Sequence, residues 1–515
     1  MRKIRGLWKL LFGRTTIFIL LILIQLVVIF GGIFVLDDKV IVLNNIVGVT
    51  AVLIIVYLLN IQQNSSFKLM WVILIVATPI IGVPLYIFAK LQPGTRFIAE
   101  RVEQLIAEQE RYLLPDKDTV NGLMTDAGQE FGLFKYLYEG GNYPAYDHSG
   151  AKYFPSGEAK YRELLCQLEQ AEDFIFMEYF IIDKGEMWDS VLEILRRKAA
   201  EGVEVRVLYD GTCTLSLLPR HYPQELERMG LKCKVFSPMR AFLSTHQNNR
   251  DHRKIVVIDG NTGFTGGVNL ADEYINRRKR FGHWKDTAIM IQGAAVNNLT
   301  LMFLQMWNIR QTEPEQYHRY MYKPCSPDAG MKFGGYMVPY GDSPYDGEEV
   351  GKKVYLDILN RANEYVHIMT PYLILDEEMT SALVFAAQRG IDVKLILPHI
   401  PDKKYAYFLA RTHYAELIRK GVKIYEYTPG FVHAKNFTCD DEKAVVGTIN
   451  LDFRSLYLHF ECAVYLWRNA VVHDVEADFQ ETLLKCQRIT LKDCREYSVI
   501  GTICGRALRL IAPLM

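Results

Sequence analysis

The sequence predicts an α/β protein: two tandem α/β repeats forming one shared site, preceded by N-terminal transmembrane helices. Three observations predict it. Residues 15–36, 40–59 and 69–89 are long, uncharged apolar runs. Beyond Pro93 and Gly94 one order of strand-forming and helix-forming segments occurs twice. The frame H-x-K-x-x-x-x-D also occurs twice, as His252, Lys254 and Asp259 and again as His433, Lys435 and Asp440.

The three apolar runs come first. Each approaches the ~20 residues that a helix needs to cross the hydrocarbon core. Pro79 and Pro84 interrupt the third run without excluding it, because membrane helices tolerate proline. The first run is too long for a cleaved leader, and two more follow it. Residues 1–92 therefore read as a multi-pass anchor in the cell membrane. Arg2, Lys3, Arg5, Lys9 and Arg14 precede the first run and favour an inside N-terminus, which puts the bulk of the chain outside after three crossings. Nine cysteines without C-x-x-C spacing or His–Cys clusters read as free thiols and favour the opposite side. A run lying in the interface, or folded as a hairpin, reconciles the two.

Residues 97–150 read as a polar helical connector. The first repeat follows over 151–323 and the second over 324–490, with the Pro- and Gly-rich stretch from Pro324 to Gly347 as the link. FIFMEYFIIDKG (174–185) matches YVHIMTPYLILDEE (365–378) as an apolar strand and turn. An amphipathic helix follows each, ending at Gly202 and at Gly390, where a helix C-cap favours glycine. VEVRVLYDG (203–211) and IDVKLILPH (391–399) are the next strands. ELERMGLKCKVFSP (225–238) then matches ELIRKGVKIYEYTP (416–429) nearly position for position. Alternating strands and helices predict a largely parallel sheet in each repeat.

The doubled frame carries the chemistry. A single H-x-K on a strand is ordinarily an exposed polar pair. Two at equivalent places in two repeats, each followed by G-[GT]-x-N, are not. Strand side chains alternate faces, so His252 shares a face with Lys254, and His433 with Lys435. A lysine supplies a point charge to phosphate oxygens, and a histidine attacks phosphorus or moves a proton near neutral pH. Double displacement at a phosphodiester needs one nucleophile and one general acid. Two copies supply both, with two lysines to hold the phosphate and no call for a metal or other cofactor. The sequels GGVNLADEY (266–274) and GTINLDFRS (447–455) add Asn269 and Asn450 as candidate contacts to a phosphate oxygen or as loop ties.

Asp259 and Asp440 stand an odd number of residues from their histidines, so a regular strand points them away. Other carboxylates must then orient the imidazoles, and each repeat offers one at the head of an alternating strand: Asp286 in WKDTAIMIQG and Glu461 in HFECAVYLW. The motif aspartates read instead as ties for the turn after the strand.

The doubled H-x-K-x4-D with its G-[GT]-x-N sequel resembles the signature of the phospholipase D superfamily, over roughly residues 150–490. Within it, the apolar N-terminus, the connector and the two motif-bearing halves resemble the bacterial cardiolipin synthases. The ATPIIGVPLYIF of the third run is similar to that family's anchor. GRALRLIAPLM, in the amphipathic C-terminal segment 491–515, is similar to its end. The resemblance implies transfer of a phosphatidyl group from one phosphatidylglycerol to another through a phosphatidyl-histidine, giving cardiolipin and glycerol. It implies His252, Lys254, Asp259, His433, Lys435 and Asp440 as the active site. The superfamily also holds hydrolytic phospholipases and nucleases. Lys plus Arg equals Asp plus Glu, at 59 each, which leaves no net field to attract nucleic acid. A lipid-binding protein with a dead site is disfavoured by the presence of both His–Lys pairs.

Overall fold

The computed structural model describes residues 38–91, 93–238, 248–311 and 315–514. The chain divides into two compact units, one of residues 1–97, 239–248 and 513–515, the other of 98–238 and 249–512.

In the first unit, the apolar run 15–36 and the five cations before it lie outside the described residues. The second run falls in a helix, Asp38–Asn60. The third corrects the expectation. It is two helices, Ser65–Ala77 and Pro79–Lys90, separated at Thr78. Proline has no N–H to continue the first helix but suits the first turn of the second. The pieces fold back on each other: a Cβ at Gly82 would lie 2.7 Å from the Cα of Ile75. Ile75, Val83 and Tyr86 are buried together with Ala51 and Leu58. Among the described residues no helix is long and apolar enough to cross a membrane.

The second unit carries both repeats. The first builds a seven-stranded sheet from β1 (Gly150–Phe154), β2 (Phe174–Tyr179), β3 (Glu204–Asp210), β4 (Lys232–Phe236), β5 (Lys254–Ile258), β6 (Thr262–Gly266) and β8 (Ala288–Gln292), in the order β1-β8-β6-β5-β2-β3-β4. The second builds an eight-stranded sheet from β9 (Tyr336–Asp342), β10 (Tyr365–Met369), β11 (Asp392–Pro398), β12 (Lys423–Tyr427), β14 (Asn436–Cys439), β15 (Lys443–Gly447), β16 (Glu461–Trp467) and β17 (Cys486–Ile489). Its order is β17-β12-β11-β10-β14-β15-β16-β9, the same arrangement with β17 added at one edge. The stretch read as a link therefore contains β9, the opposite edge strand.

The sheets are mixed, not largely parallel. β2-β3-β4 and β10-β11-β12 are parallel, with the helices Glu186–Ala200 and Glu377–Gln388 crossing over between the first two strands of each set. Gly202 and Gly390 follow those helices at φ of +98° and +95°, a conformation glycine adopts without strain. After the motif strands the chain turns back at once, so β5-β6-β8 and β14-β15-β16 run antiparallel.

The motif aspartates sit in those reversals. Asp259 and Asp440 have φ of +52° and +54°. The Asp259 carboxylate accepts the backbone N–H groups of Glu172, Asp173 and Phe174 at 2.7–2.8 Å. The Asp440 carboxylate accepts those of Asn363, Glu364 and Tyr365 at 2.7–2.9 Å. Each ties the end of a motif strand to the start of its neighbour, β2 or β10.

One core lies between the sheets. Phe174, Phe176, Ile255 and Val257 of the first pack in a single cluster with Ala444, Val446, Val464 and Leu466 of the second. The helix Val296–Asn308 is buried nearly all round and belongs to this cluster. The helices Lys117–Asp126 and Phe131–Glu139 from the polar connector add Leu123, Leu133 and Phe134 to the second repeat's own core. Neither sheet has a full set of apolar neighbours without the other.

Removing the charge of one turn aspartate weakens three backbone bonds without touching the interior between the sheets. Asp259→Asn and Asp440→Asn are each expected to cost about 1–3 kcal/mol of stability, the worth of charge-assisted hydrogen bonds. The check is a lowered melting temperature with turnover per folded molecule largely kept. An unchanged melting temperature with lost turnover contradicts the turn-tying role.

Candidate active site

Two short parallel ladders between the repeats build the site. β7 (His283–Lys285) pairs with β13 (Gly430–Val432), with Val432 opposite Lys285. The next residue on each side is Asp286 or His433, and the His433 N–H donates to the Lys285 carbonyl at 2.7 Å. Asp251 bridges Phe460 in the same parallel sense, and the next residues there are His252 and Glu461. The His252 N–H donates to the Phe460 carbonyl at 2.9 Å, and the Phe460 N–H to the Arg250 carbonyl at 2.8 Å.

The backbone thus sets each motif histidine against a carboxylate of the other repeat. His433 Nδ1 lies 2.7 Å from Asp286 Oδ2, and His252 Nδ1 lies 2.9 Å from both oxygens of Glu461. A carboxylate on Nδ1 holds the proton there and leaves the Nε2 lone pair free. Both carboxylates are fully buried and anchored further. Asp286 accepts the Thr287 N–H at 2.9 Å. Glu461 accepts the hydroxyls of Ser455, at 2.6 Å, and of Thr448. Asp286 also needs a residue without a side chain beside it: a Cβ at Gly267 would lie 2.0 Å from its Oδ1.

The two lysines are as buried as the histidines they accompany. Lys254 Nζ donates to the His252 carbonyl and Lys435 Nζ to the His433 carbonyl. Lys435 Nζ also stands 2.9 Å from His433 Nδ1. With Nδ1–H donating to Asp286, the contact sets two donors face to face. Burial, first, and then the charges of Lys254, Lys435 and His433 hold the His252 imidazole well below its ordinary pKa. Burial and the Lys435 charge bring His433 down to about 4, against the raising influence of Asp286. Burial lowers Lys254 to about 8 and Lys435 to about 7, and Lys254 further disfavours the charge on Lys435. The four groups feel one another's charge, which brings the two motifs into one site. The two buried lysines suit that site to an anion.

Aromatic rings complete the walls. Phe180 meets His252 edge-on at 4.9 Å between centroids. Tyr274, Trp284 and Phe431 surround His433 at 5.4–5.8 Å. The asparagines of the two sequels differ. Asn269 is spent internally: its Oδ1 accepts the Ile181 N–H at 3.0 Å and its Nδ2 donates to the Tyr274 hydroxyl at 2.7 Å. Asn450 has a buried Oδ1 without a hydrogen-bond partner among the described residues. Asp259 and Asp440 occupy the turns described above. Thr448 and Ser455, the hydroxyls on Glu461, are absent from the sequence-derived site although both lie in the quoted GTINLDFRS. Their alternation with apolar neighbours marks them only as small polar residues of a turn.

Comparison with known proteins finds relatives along most of the chain. The sequence family described as cardiolipin synthase, phospholipase D-like domain matches residues 164–307 and 355–483. A second, described as phospholipase D-nuclease N-terminal, matches residues 40–90. A cardiolipin synthase of Alkalihalophilus pseudofirmus is 33% identical over 462 residues, covering 88% of this chain and 90% of its own. A cardiolipin synthase of Geobacillus kaustophilus is 36% identical over 384 residues, covering 74% and 76%. The crystal structure of phosphatidylserine synthase from Haemophilus influenzae shares the fold, with a TM-score of 0.55 at 12% identity over 71% of this chain and 95% of that one.

Asp286→Asn and Glu461→Gln keep shape and remove the charge that fixes the tautomer. Each is expected to lower turnover by about 10⁴-fold, the scale seen when a triad carboxylate becomes an amide, while the far-ultraviolet circular dichroism stays unchanged. Near-normal turnover in both variants rules out the orienting role.

Proposed function

The chain belongs to the cardiolipin synthase family of phospholipase D-like phosphatidyltransferases, and on that premise we propose that it joins two phosphatidylglycerols into cardiolipin through a phosphatidyl-histidine. The observation that carries the reading is the pair of crossed His–carboxylate contacts with two lysines beside them.

In the proposed reaction the Nε2 lone pair of one histidine attacks phosphorus. The bond from phosphorus to the glycerol headgroup oxygen breaks, and the second histidine protonates that oxygen, so free glycerol leaves. The second histidine, now neutral, takes the proton from a headgroup hydroxyl of another phosphatidylglycerol. That oxygen attacks phosphorus, the P–N bond breaks, and cardiolipin forms. Lys254 and Lys435 hold the non-bridging oxygens, and the buried Asn450 side chain is a candidate further contact to a phosphate oxygen. The bound phosphodiester offsets the lysine charges and so raises the pKa of the histidine that must enter protonated. Each histidine has a carboxylate on Nδ1, but the cation of His252 is disfavoured by the charges of Lys254, Lys435 and His433 on top of burial, and His433 has the shorter carboxylate contact, 2.7 Å against 2.9 Å. This supports His252 as nucleophile and His433 as acid and base. Asp259 and Asp440 serve the same reaction from the turns, by fixing the motif strands.

Two surfaces support attachment to the bacterial cell membrane. The apolar helix Asp38–Asn60 exposes Val49, Val52, Leu53, Val56 and Leu59. The C-terminal helix Val499–Arg509 turns Val499, Ile500 and Ile503 outward together with Arg506 and Arg509, as a helix lying in a lipid interface does. Lipid held at such a surface competes with water for the phosphatidyl-histidine, which favours transfer over hydrolysis.

Purified protein given phosphatidylglycerol alone is expected to release glycerol and form cardiolipin, with chelator present or absent. His252→Ala and His433→Ala are each expected to lower the rate by several orders of magnitude, because the two groups serve one step. Phosphatidate in place of cardiolipin establishes a hydrolase. A full loss in chelator restored by one divalent ion contradicts the metal-free mechanism.

A further inference from the structure

A third histidine stands in the wall of the site and takes no part in the chemistry above. His459 is nine-tenths buried, and neither ring nitrogen has a hydrogen-bond partner among the described residues. Its ring centroid lies 5.6 Å from that of His252, and its Nδ1 lies 3.7 Å from Glu461 Oε1. In the other half of the site the residue two before the orienting carboxylate is Trp284, which packs on His433 at 5.4 Å. The two halves are alike in packing but differ in one chemical respect. Beside His252 there is an additional pair of ring nitrogens, and beside His433 there is not.

We propose that His252, His459 and Glu461 form an inhibitory site for a zinc-class divalent cation. One ligand atom from each of the three lies within 4.8 Å of the others. Two separations are known individually: 2.9 Å from His252 Nδ1 to Glu461 and 3.7 Å from His459 Nδ1 to the same carboxylate. Tetrahedral zinc with bonds of about 2.0–2.1 Å sets neighbouring ligand atoms about 3.3 Å apart, a spacing that the separations of 2.9 Å and 3.7 Å bracket. The remaining position is open to water.

Glu461 offsets one of the ion's two positive charges. The other meets Lys254 and Lys435, so hard ions such as Mg²⁺ and Ca²⁺, which bond imidazole weakly, gain too little to enter. An ion on Nδ1 displaces the His252 proton to Nε2. Charge and proton count stay the same, but the nitrogen facing phosphorus loses its lone pair. Only the inhibitory consequence rests on the proposed role of His252; binding of the ion does not.

The test uses the full chain in detergent with phosphatidylglycerol, in buffered Zn²⁺, and compares the natural protein with His459→Phe, which keeps a ring in place and removes the ligand. Basal turnover is expected to be equal within about twofold, and the Zn²⁺ concentration for half-inhibition at least tenfold higher in the variant. Mg²⁺ at the same concentrations inhibits neither. Zinc bound to the lipid itself affects both proteins alike and cancels. Co²⁺ supplies a readout that needs no turnover: the natural protein is expected to show visible absorption of four- or five-coordinate cobalt that His459→Phe lacks. Should His459→Phe melt at a lower temperature, His459→Gln replaces it in both measurements. Equal zinc sensitivity in the natural and variant proteins overturns the proposal, as does a cobalt spectrum that both share.

Discussion

Each motif histidine in this protein is held by a carboxylate from the other repeat, and the rest of the architecture exists to make that crossing possible. A histidine on the first motif strand cannot be oriented by its own aspartate, which points into the turn after the strand. The partner must come from elsewhere, and the two short parallel ladders bring it in register. Lys285 beside Val432 and Asp251 beside Phe460 leave the next residue on each strand facing its partner. The cluster of aromatic and aliphatic side chains between the sheets fixes the distance. A repeat cut from its fellow loses an orienting carboxylate and one wall of its core together.

The assembled site is electrostatically unfavourable without an anion. Two lysines and two histidines are taken out of water beside one another, and burial and mutual repulsion press all four towards their neutral forms. Asp286 and Glu461 oppose this without cancelling it. Such a site gains most from binding a phosphodiester, whose negative charge relieves the repulsion and restores the protonated form of one histidine. Binding energy therefore appears where the proposed chemistry needs it, at the proton that must be delivered to the leaving oxygen.

Much of this was legible in the residues. The repeat announced itself through matched segments and paired glycines after equivalent helices, and strand parity separated the motif aspartates from the histidine face. The same parity pointed to Asp286 and Glu461 as carboxylates at strand heads. What the residues did not carry was the exchange between halves, because three-residue ladders such as Gly430–Val432 are too short to leave a periodic signature. The sheets were read as largely parallel because strand–helix alternation dominates the first half of each repeat. The hairpin reversals at Asp259 and Asp440 contribute only a few residues to the pattern. The apolar run 69–89 was read as one helix because hydropathy does not register a break that costs no polarity. Thr78 and Pro79 fold it back without changing its composition.

The crossing is open to direct observation by nitrogen-15 resonance of histidine-labelled protein, in which imidazole shifts report the tautomer of each ring. The account predicts that Asp286→Asn changes the ring signals of His433 and leaves those of His252 nearly in place, and that Glu461→Gln does the reverse. A change at His252 on altering Asp286, with His433 undisturbed, contradicts the crossed pairing and with it the shared site.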